Sequence, residues 1–199
     1  MTNDEGKKDL IVLNNNSNLP SVVANKNSIG NRIAKFASGS IIPKSGFING
    51  IEILEPDYSF LKKLIKNKFS EKFIISIKKI DWENGHEIGC RIVDKRITEI
   101  LLYKQNVIKE LDVSQLEHLK ILDCWGTSIS KISLLKNKKL EKFFFSETLI
   151  KEIDLSKNEN LTYIQGNSFF HATITQEIYD QLTDINDWSK KPKTYTIID

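Results

Sequence analysis

The sequence predicts an α/β fold: a short solenoid of repeats with parallel strands on its concave face, a helical and β-hairpin cap before the repeats, and a helix and strand cap after them. Three observations predict it. Leu119, Leu140 and Leu161 stand 21 residues apart. Between them fall matching columns: Leu101, Leu122, Phe143 and Ile164; Tyr103, Cys124, Phe145 and Gly166; Ile108, Ile129 and Ile150; Leu111, Ile132 and Ile153; Val113, Leu134 and Leu155. Outside 98–174 the period is lost, as it is where a stack must be sealed at its ends.

The N-terminal part divides into three. Residues 1–18 are polar around Leu10 to Leu13 and bury too little to order themselves without a partner. Residues 19–72 read as a helical region with a linker. Val22, Val23, Ile29, Ile33 and Phe36 lie on one helix face behind Pro20, and 37–56 is punctuated by Ser38-Gly39, Pro43 and Asn49-Gly50. Asp57 then caps a helix that turns Phe60, Leu61, Leu64, Ile65 and Phe69 inward and Lys62, Lys63, Lys66 and Lys68 outward. Residues 73–97 read as a β-hairpin, with strands over 73–81 and 86–93 around Asn84-Gly85, because a two-residue Asn-Gly turn needs positive φ at both positions.

Turn one of the repeats is 98–118, turn two 119–139, turn three 140–160, and turn four starts at Leu161. Asn106, Thr127, Thr148 and Phe169 share a column in which a polar side chain satisfies buried backbone groups. Phe169 cannot do so, and with His171 in the column of Ile108, Ile129 and Ile150 it marks a degrading last turn. Residues 175–199 form the C-terminal cap, with Ile178, Leu182 and Ile185 on a helix, Trp188 adding apolar weight, and 195–198 an edge strand.

Ile153-Asp154-Leu155-Ser156-Lys157-Asn158-Glu159-Asn160-Leu161, Leu111-Asp112-Val113-Ser114 and Leu119-Lys120-Ile121-Leu122-Asp123-Cys124 resemble bacterial leucine-rich-repeat proteins, especially the short-repeat, internalin-like kind in which Leu-Asp-Leu-Ser-x-Asn-x-x-Leu recurs. Ser133-Leu134-Leu135-Lys136 departs from that segment. The resemblance covers 98–174 alone. It implies a protein-binding scaffold and carries no catalytic residues with it.

Composition narrows the function. Lys plus Arg is 29 against 26 for Asp plus Glu, a net charge of +3, which argues against a binder that relies on phosphate contacts. No apolar run reaches the ~18 residues of a membrane span, and the first eight residues lack the apolar core of a signal peptide, so a cytoplasmic protein is expected. Cys90 and Cys124 read as reduced, with Cys124 a small core hydrophobe. His86, His118 and His171 have no metal-ligand spacing, and no phosphate loop, nucleophile elbow or Cys-His pairing occurs. Asp81 and Glu83 beside Trp82 are turn residues. No enzyme, cofactor or metal is expected.

Alternation along each strand fixes the expected interaction face. It comprises Ile100 and Leu102; Ile121, Asp123 and Trp125; Lys142, Phe144 and Ser146; and Tyr163, Gln165 and Asn167. Turns about 4.8 Å apart bring Leu102, Trp125, Phe144 and Tyr163 into one exposed patch ringed by Asp123, Lys142 and Gln165, the make-up of a protein-interaction hot spot. The leading expectation is therefore a non-catalytic module that docks a protein partner on its concave face. Three alternatives stand beside it: an immunity or antitoxin-like protein that binds a toxin; binding of nucleic acid or an anionic surface through Lys62, Lys63, Lys66, Lys68, Lys136, Lys138 and Lys139; and cover of the patch by the N-terminal helices, which makes it core.

Overall fold

The computed structural model describes residues 10–13, 43–67, 69, 72–79, 88–183 and 194–199. In chain order the elements are β1 (Leu10–Leu13), β2 (Ser45–Ile48), β3 (Ile51–Leu54), α1 (Asp57–Leu64), β4 (Phe73–Ser76), β5 (Ile88–Val93), β6 (Arg96–Leu101), β7 (Ile121–Asp123), β8 (Lys142–Phe144), β9 (Glu152–Asp154), β10 (Tyr163–Gln165), β11 (His171–Thr175), α2 (Gln176–Thr183) and β12 (Thr194–Ile198). The fold is mixed and dominated by sheet. Its centre is a solenoid-like coil of about four turns, in which β6, β7, β8 and β10 pair in parallel.

Stacking fixes which residues share a rung. Ile100 pairs with Leu122, Leu122 with Phe143, and Phe143 with Ile164. All four are buried, because like apolar side chains stacked on successive rungs exclude water continuously. Leu102, Cys124 and Phe145 follow them into the core, each with no exposed surface. Gly166 ends that column. A Cβ there would stand 2.4 Å from the Phe145 ring and 2.6 Å from that of Phe170, so the missing side chain is what admits Phe170, whose ring meets Phe145 edge-on at 4.8 Å.

Turn one departs from the 21-residue period. Ile100 to Leu122 is 22 residues, whereas Ile108 to Ile129 is 21. The surplus residue lies just after the strand, where three steps separate Gln105 from Ile108 but two separate Thr127 from Ile129. Local geometry identifies the true equivalents. Lys104, Gly126 and Glu147 share a left-handed backbone, at φ 54°, 68° and 57°. Each is followed by a buried polar residue, Gln105, Thr127 or Thr148. Gln105 and Thr127 close the same amide turn back to Leu102 O and Cys124 O, and the hydroxyls of Thr127 and Thr148 donate to Cys124 O and Phe145 O at 2.7 Å. Asn106 is therefore not in this column; it is exposed.

At the opposite corner the coil is held by an asparagine ladder. Asn137 Nδ2 donates to Val113 O at 2.8 Å and Leu116 O at 3.0 Å. One rung later Asn158 Nδ2 donates to Leu134 O at 2.9 Å and Asn137 O at 3.0 Å. Both side chains are fully buried. Each side-chain amide thus ties its turn to the one before, as a second donor to carbonyls that already accept a backbone amide within their own corner. Asn137→Ala removes both bonds between the turns, while the amides of Leu116 and Leu119 still donate to the two carbonyls, and we expect a loss of about 1–3 kcal/mol in urea unfolding, with the folded far-UV spectrum retained.

Turn four is shorter than its predecessors. β11 pairs with β9 two residues early, His171 opposite Glu152, and Asn167 Nδ2 bridges back to Thr148 O at 3.1 Å and Ile150 O at 2.8 Å. Phe169 points outward and is 79% exposed, and His171 begins a strand instead of joining the Ile108 column. β9, β11 and β12 form a second, parallel sheet in the order β12-β11-β9. α2 packs Ile178 and Leu182 into the core; the expected Ile185 and Trp188 contributions lie outside the described residues.

Before the turns, the seven-stranded sheet continues in the order β1-β4-β5-β6-β7-β8-β10. Leu10 to Leu13 do pair, antiparallel with β4. Residues 73–97 differ from expectation. β4 and β5 are neighbours but parallel, so no two-residue turn joins them, and Asn84-Gly85 lies outside the described residues. The hairpin is β5 with β6, turned by Asp94 and Lys95 at φ 50° and 64°. The Asn-Gly rule holds instead at Asn49-Gly50, φ 51° and 83°, which joins β2 to β3 as a hairpin inside the expected linker. The expected helix over 19–36 lies outside the described residues.

Helix α1 turns Leu61 and Leu64 into the core and leaves Lys62 and Lys63 exposed, as its spacing predicts. Asp57 does not cap it. Glu55 does that work, accepting from the Ser59 hydroxyl at 2.9 Å and the Ser59 amide at 3.3 Å. Asp57 reaches across to β6, accepting from Arg96 Nη2 at 2.9 Å and from the Ile97 amide at 2.6 Å.

Candidate functional site

The face of the parallel sheet turned away from the main core carries two rows. One is Glu99, Ile121, Lys142 and Tyr163; the other is Leu101, Asp123, Phe144 and Gln165. Leu101, Ile121 and Phe144, with Tyr163 packed against them, form an apolar cluster distinct from the main core. The Phe144 and Tyr163 rings lie 5.1 Å apart, and Tyr163 donates its hydroxyl to Gln165 Oε1 at 3.3 Å. A second aromatic pair stands at the strand ends, where Tyr103 and Trp125 meet edge-on at 5.1 Å. Lys104 Nζ sits 5.2 Å from the Tyr103 ring centre, and the hydrogen bond with Tyr103 raises the lysine's pKa. Asp123 Oδ1 accepts from the Trp125 amide at 2.8 Å and fixes that corner.

The rows correct the expected face in two ways. Ile100 and Leu102 are core residues with no exposed surface. The surplus residue of turn one shifts its strand by one place, and a one-place shift exchanges the two faces of a strand. Leu101 takes their place. The expected patch is also not exposed as a whole, since Leu101 is 2% exposed and Ile121 and Phe144 each 9%. What reaches solvent is a half-buried set: Tyr103, Asp123, Trp125, Lys142, Tyr163 and Gln165. Leu102, Trp125, Phe144 and Tyr163 therefore do not form one patch; Trp125 and Tyr163 belong to different aromatic pairs.

Sequence reasoning missed Glu99, Leu101 and Tyr103. Glu99 is buried at the first rung and joins Arg91 Nη1 on β5 at 2.8 Å, because Arg91 and Glu99 are register partners. The signal that finds these residues is the polar column: aligning Gln105 with Thr127 in place of Asn106 restores the register.

Other titratable groups fall elsewhere. Cys90 and Cys124 are free and buried, and burial pushes both thiols far up. Among the described residues no group of three His, Cys, Asp or Glu side chains is placed to hold a metal, and no helix is long and apolar enough to cross a membrane. His118 stands in the turn-one corner, 3.4 Å from Lys139 Nζ. Partial burial, then Arg96 and Lys139, lower its pKa. The folded state thus binds its proton less readily than the unfolded chain, so this contribution to stability is complete above about pH 6.5 and is lost as pH falls through the depressed folded value. We expect His118→Gln to reduce the drop in urea midpoint between neutral and mildly acidic pH.

Comparison of the chain with protein-family models, with curated proteins and with solved structures finds no match in any of the three.

Proposed function

We propose that the chain is a non-catalytic binding module of the leucine-rich-repeat kind, and that it docks a protein partner across the inner face of its parallel sheet. The observation that carries this reading is the pairing of aromatic rings on that face. Tyr103 with Trp125 and Phe144 with Tyr163 flank an apolar floor of Leu101 and Ile121 that belongs to no other part of the core. Half-buried Tyr and Trp rings are rigid and amphipathic, and they dominate protein interfaces for that reason. Asp123, Lys142 and Gln165 supply the polar rim. A photoreactive phenylalanine derivative placed at Trp125 or Tyr163 should yield adducts with one protein of the native source, whereas the same group at the exposed corner positions Lys157 and Glu159 should yield none. Equal adducts from both sets, or none from the inner face, would overturn the reading.

A second reading, an anionic partner, has one observation in its favour. Hydrogen bonds from Ser114 hold the Asp112 carboxyl below the usual range, and Lys63 and Lys136 add to the effect. Lysines of α1 and of the turn-two corner, 73 residues apart in sequence, thus lie on one side of the molecule. Retention on heparin that falls steeply with salt and is lost in Lys63→Glu/Lys136→Glu would favour it.

A further inference from the structure

We propose that β12 is a self-association edge, and that a second copy of this chain adds its own β12 antiparallel to it across a two-fold axis. The inference is independent of the inner face. β12 is the outermost strand of its sheet, paired through one edge with β11, and among the described residues no strand lies beyond it. Its five residues, Thr194, Tyr195, Thr196, Ile197 and Ile198, are β-branched or aromatic, uncharged and without proline. Proteins that keep an edge solitary blunt it with lysine, proline, a bulge or an inward charge. None of these occurs within β12.

The strand is also held ready. On one face His171 Nδ1 and Nε2 each lie 3.0 Å from a hydroxyl, those of Thr194 and Thr196. On the other, the Tyr195 hydroxyl donates to that of Tyr179 on α2 at 3.1 Å, with the rings 4.8 Å apart. Anchored from both faces, its edge pays little ordering entropy on pairing.

Self-complementarity selects a second copy as the occupant. With Thr196 on the two-fold axis, Tyr195 of one copy stands opposite Ile197 of the other. Both side chains are 41% exposed, and aromatic with β-branched is a favourable cross-strand pair. An isologous interface requires this mapping of a patch onto itself.

The test is the solution mass of the full chain by light scattering coupled to size exclusion, with cysteine cross-linking to fix the register. The wild type should show twice 22.9 kDa at high concentration, and Ile197→Lys should show the monomer mass with an unchanged far-UV spectrum. Thr196→Cys should oxidise to a covalent dimer, since residues opposite each other on antiparallel strands have Cα atoms about 4.5–5.5 Å apart, within disulfide reach; Glu152→Cys, on the far strand of the sheet, should not. The buried native thiols do not compete. A wild type that stays monomeric, or a dimer that survives Ile197→Lys and leaves Thr196→Cys unlinked, would overturn the proposal.

Discussion

Phe143→Ala should cost about 4 kcal/mol of unfolding free energy, read as a lower urea midpoint at unchanged slope. Phe143 has no exposed surface and stands in the middle of the four-rung column, with Leu122 on one side and Ile164 on the other. Its ring stacks on Phe145 at 4.6 Å with the planes 20° apart. Truncation therefore removes contacts to two rungs and to its own strand neighbour, and a ladder fixed by backbone pairing on both sides cannot collapse into the void. Phe169→Ala is the control. That ring is 79% exposed, and its loss should change stability by no more than about 0.5 kcal/mol. A similar cost at both positions would show that Phe143 is not the centre of the stack.

Asp57→Ala should cost about 3–5 kcal/mol. The carboxylate is fully buried, and the side chain of Arg96 is 15% exposed. Removing the acid leaves a guanidinium and the Ile97 amide without their acceptor at the junction of α1 and β6. The cost comes from the orphaned charge more than from any intrinsic strength of the pair. Asp57→Ala/Arg96→Met should therefore be more stable than Asp57→Ala alone. If the double variant is the less stable of the two, the burial account of Arg96 fails.

The sequence made the coil legible because its signal is redundant. Val113, Leu134 and Leu155, or Leu119, Leu140 and Leu161, repeat the same spacing independently, and every one of these six is fully buried. The face of turn one was not legible, since Leu101 and Leu102 are both leucine and composition does not choose between them. The pairing of Leu101 with Asp123 does, as does aligning Gln105, and not Asn106, with Thr127. Asn158 was readable as part of a motif and Asn137 was not, and neither was readable as a donor to the preceding turn, which needs the corner geometry.

The N-terminal region shows the same limit. Asn49-Gly50 and Asn84-Gly85 are identical dipeptides, and local propensity does not say which will join neighbouring antiparallel strands. Asp57 has the chemistry of a helix cap, yet Arg96 and the Ile97 amide, some 40 residues away, claim its oxygens. Long-range competition of this kind leaves no mark in a local window. On the inner face, burial could not be read from alternation alone: Phe144 alternates outward from the main core and is still only 9% exposed, closed over by Tyr163.

The register of turn one is the claim on which both the core and the inner face depend, and paired cysteines measure it directly. Leu101→Cys/Asp123→Cys should oxidise readily to a disulfide in the native state, because these residues are direct partners on adjacent strands about 4.8 Å apart. In a Cys124→Ala background, which removes the native thiol that stands beside position 102 in the core column, Leu102→Cys/Asp123→Cys, spaced by 21 and facing opposite sides of the sheet, should remain reduced. Cross-linking of the second pair in preference to the first would contradict the account.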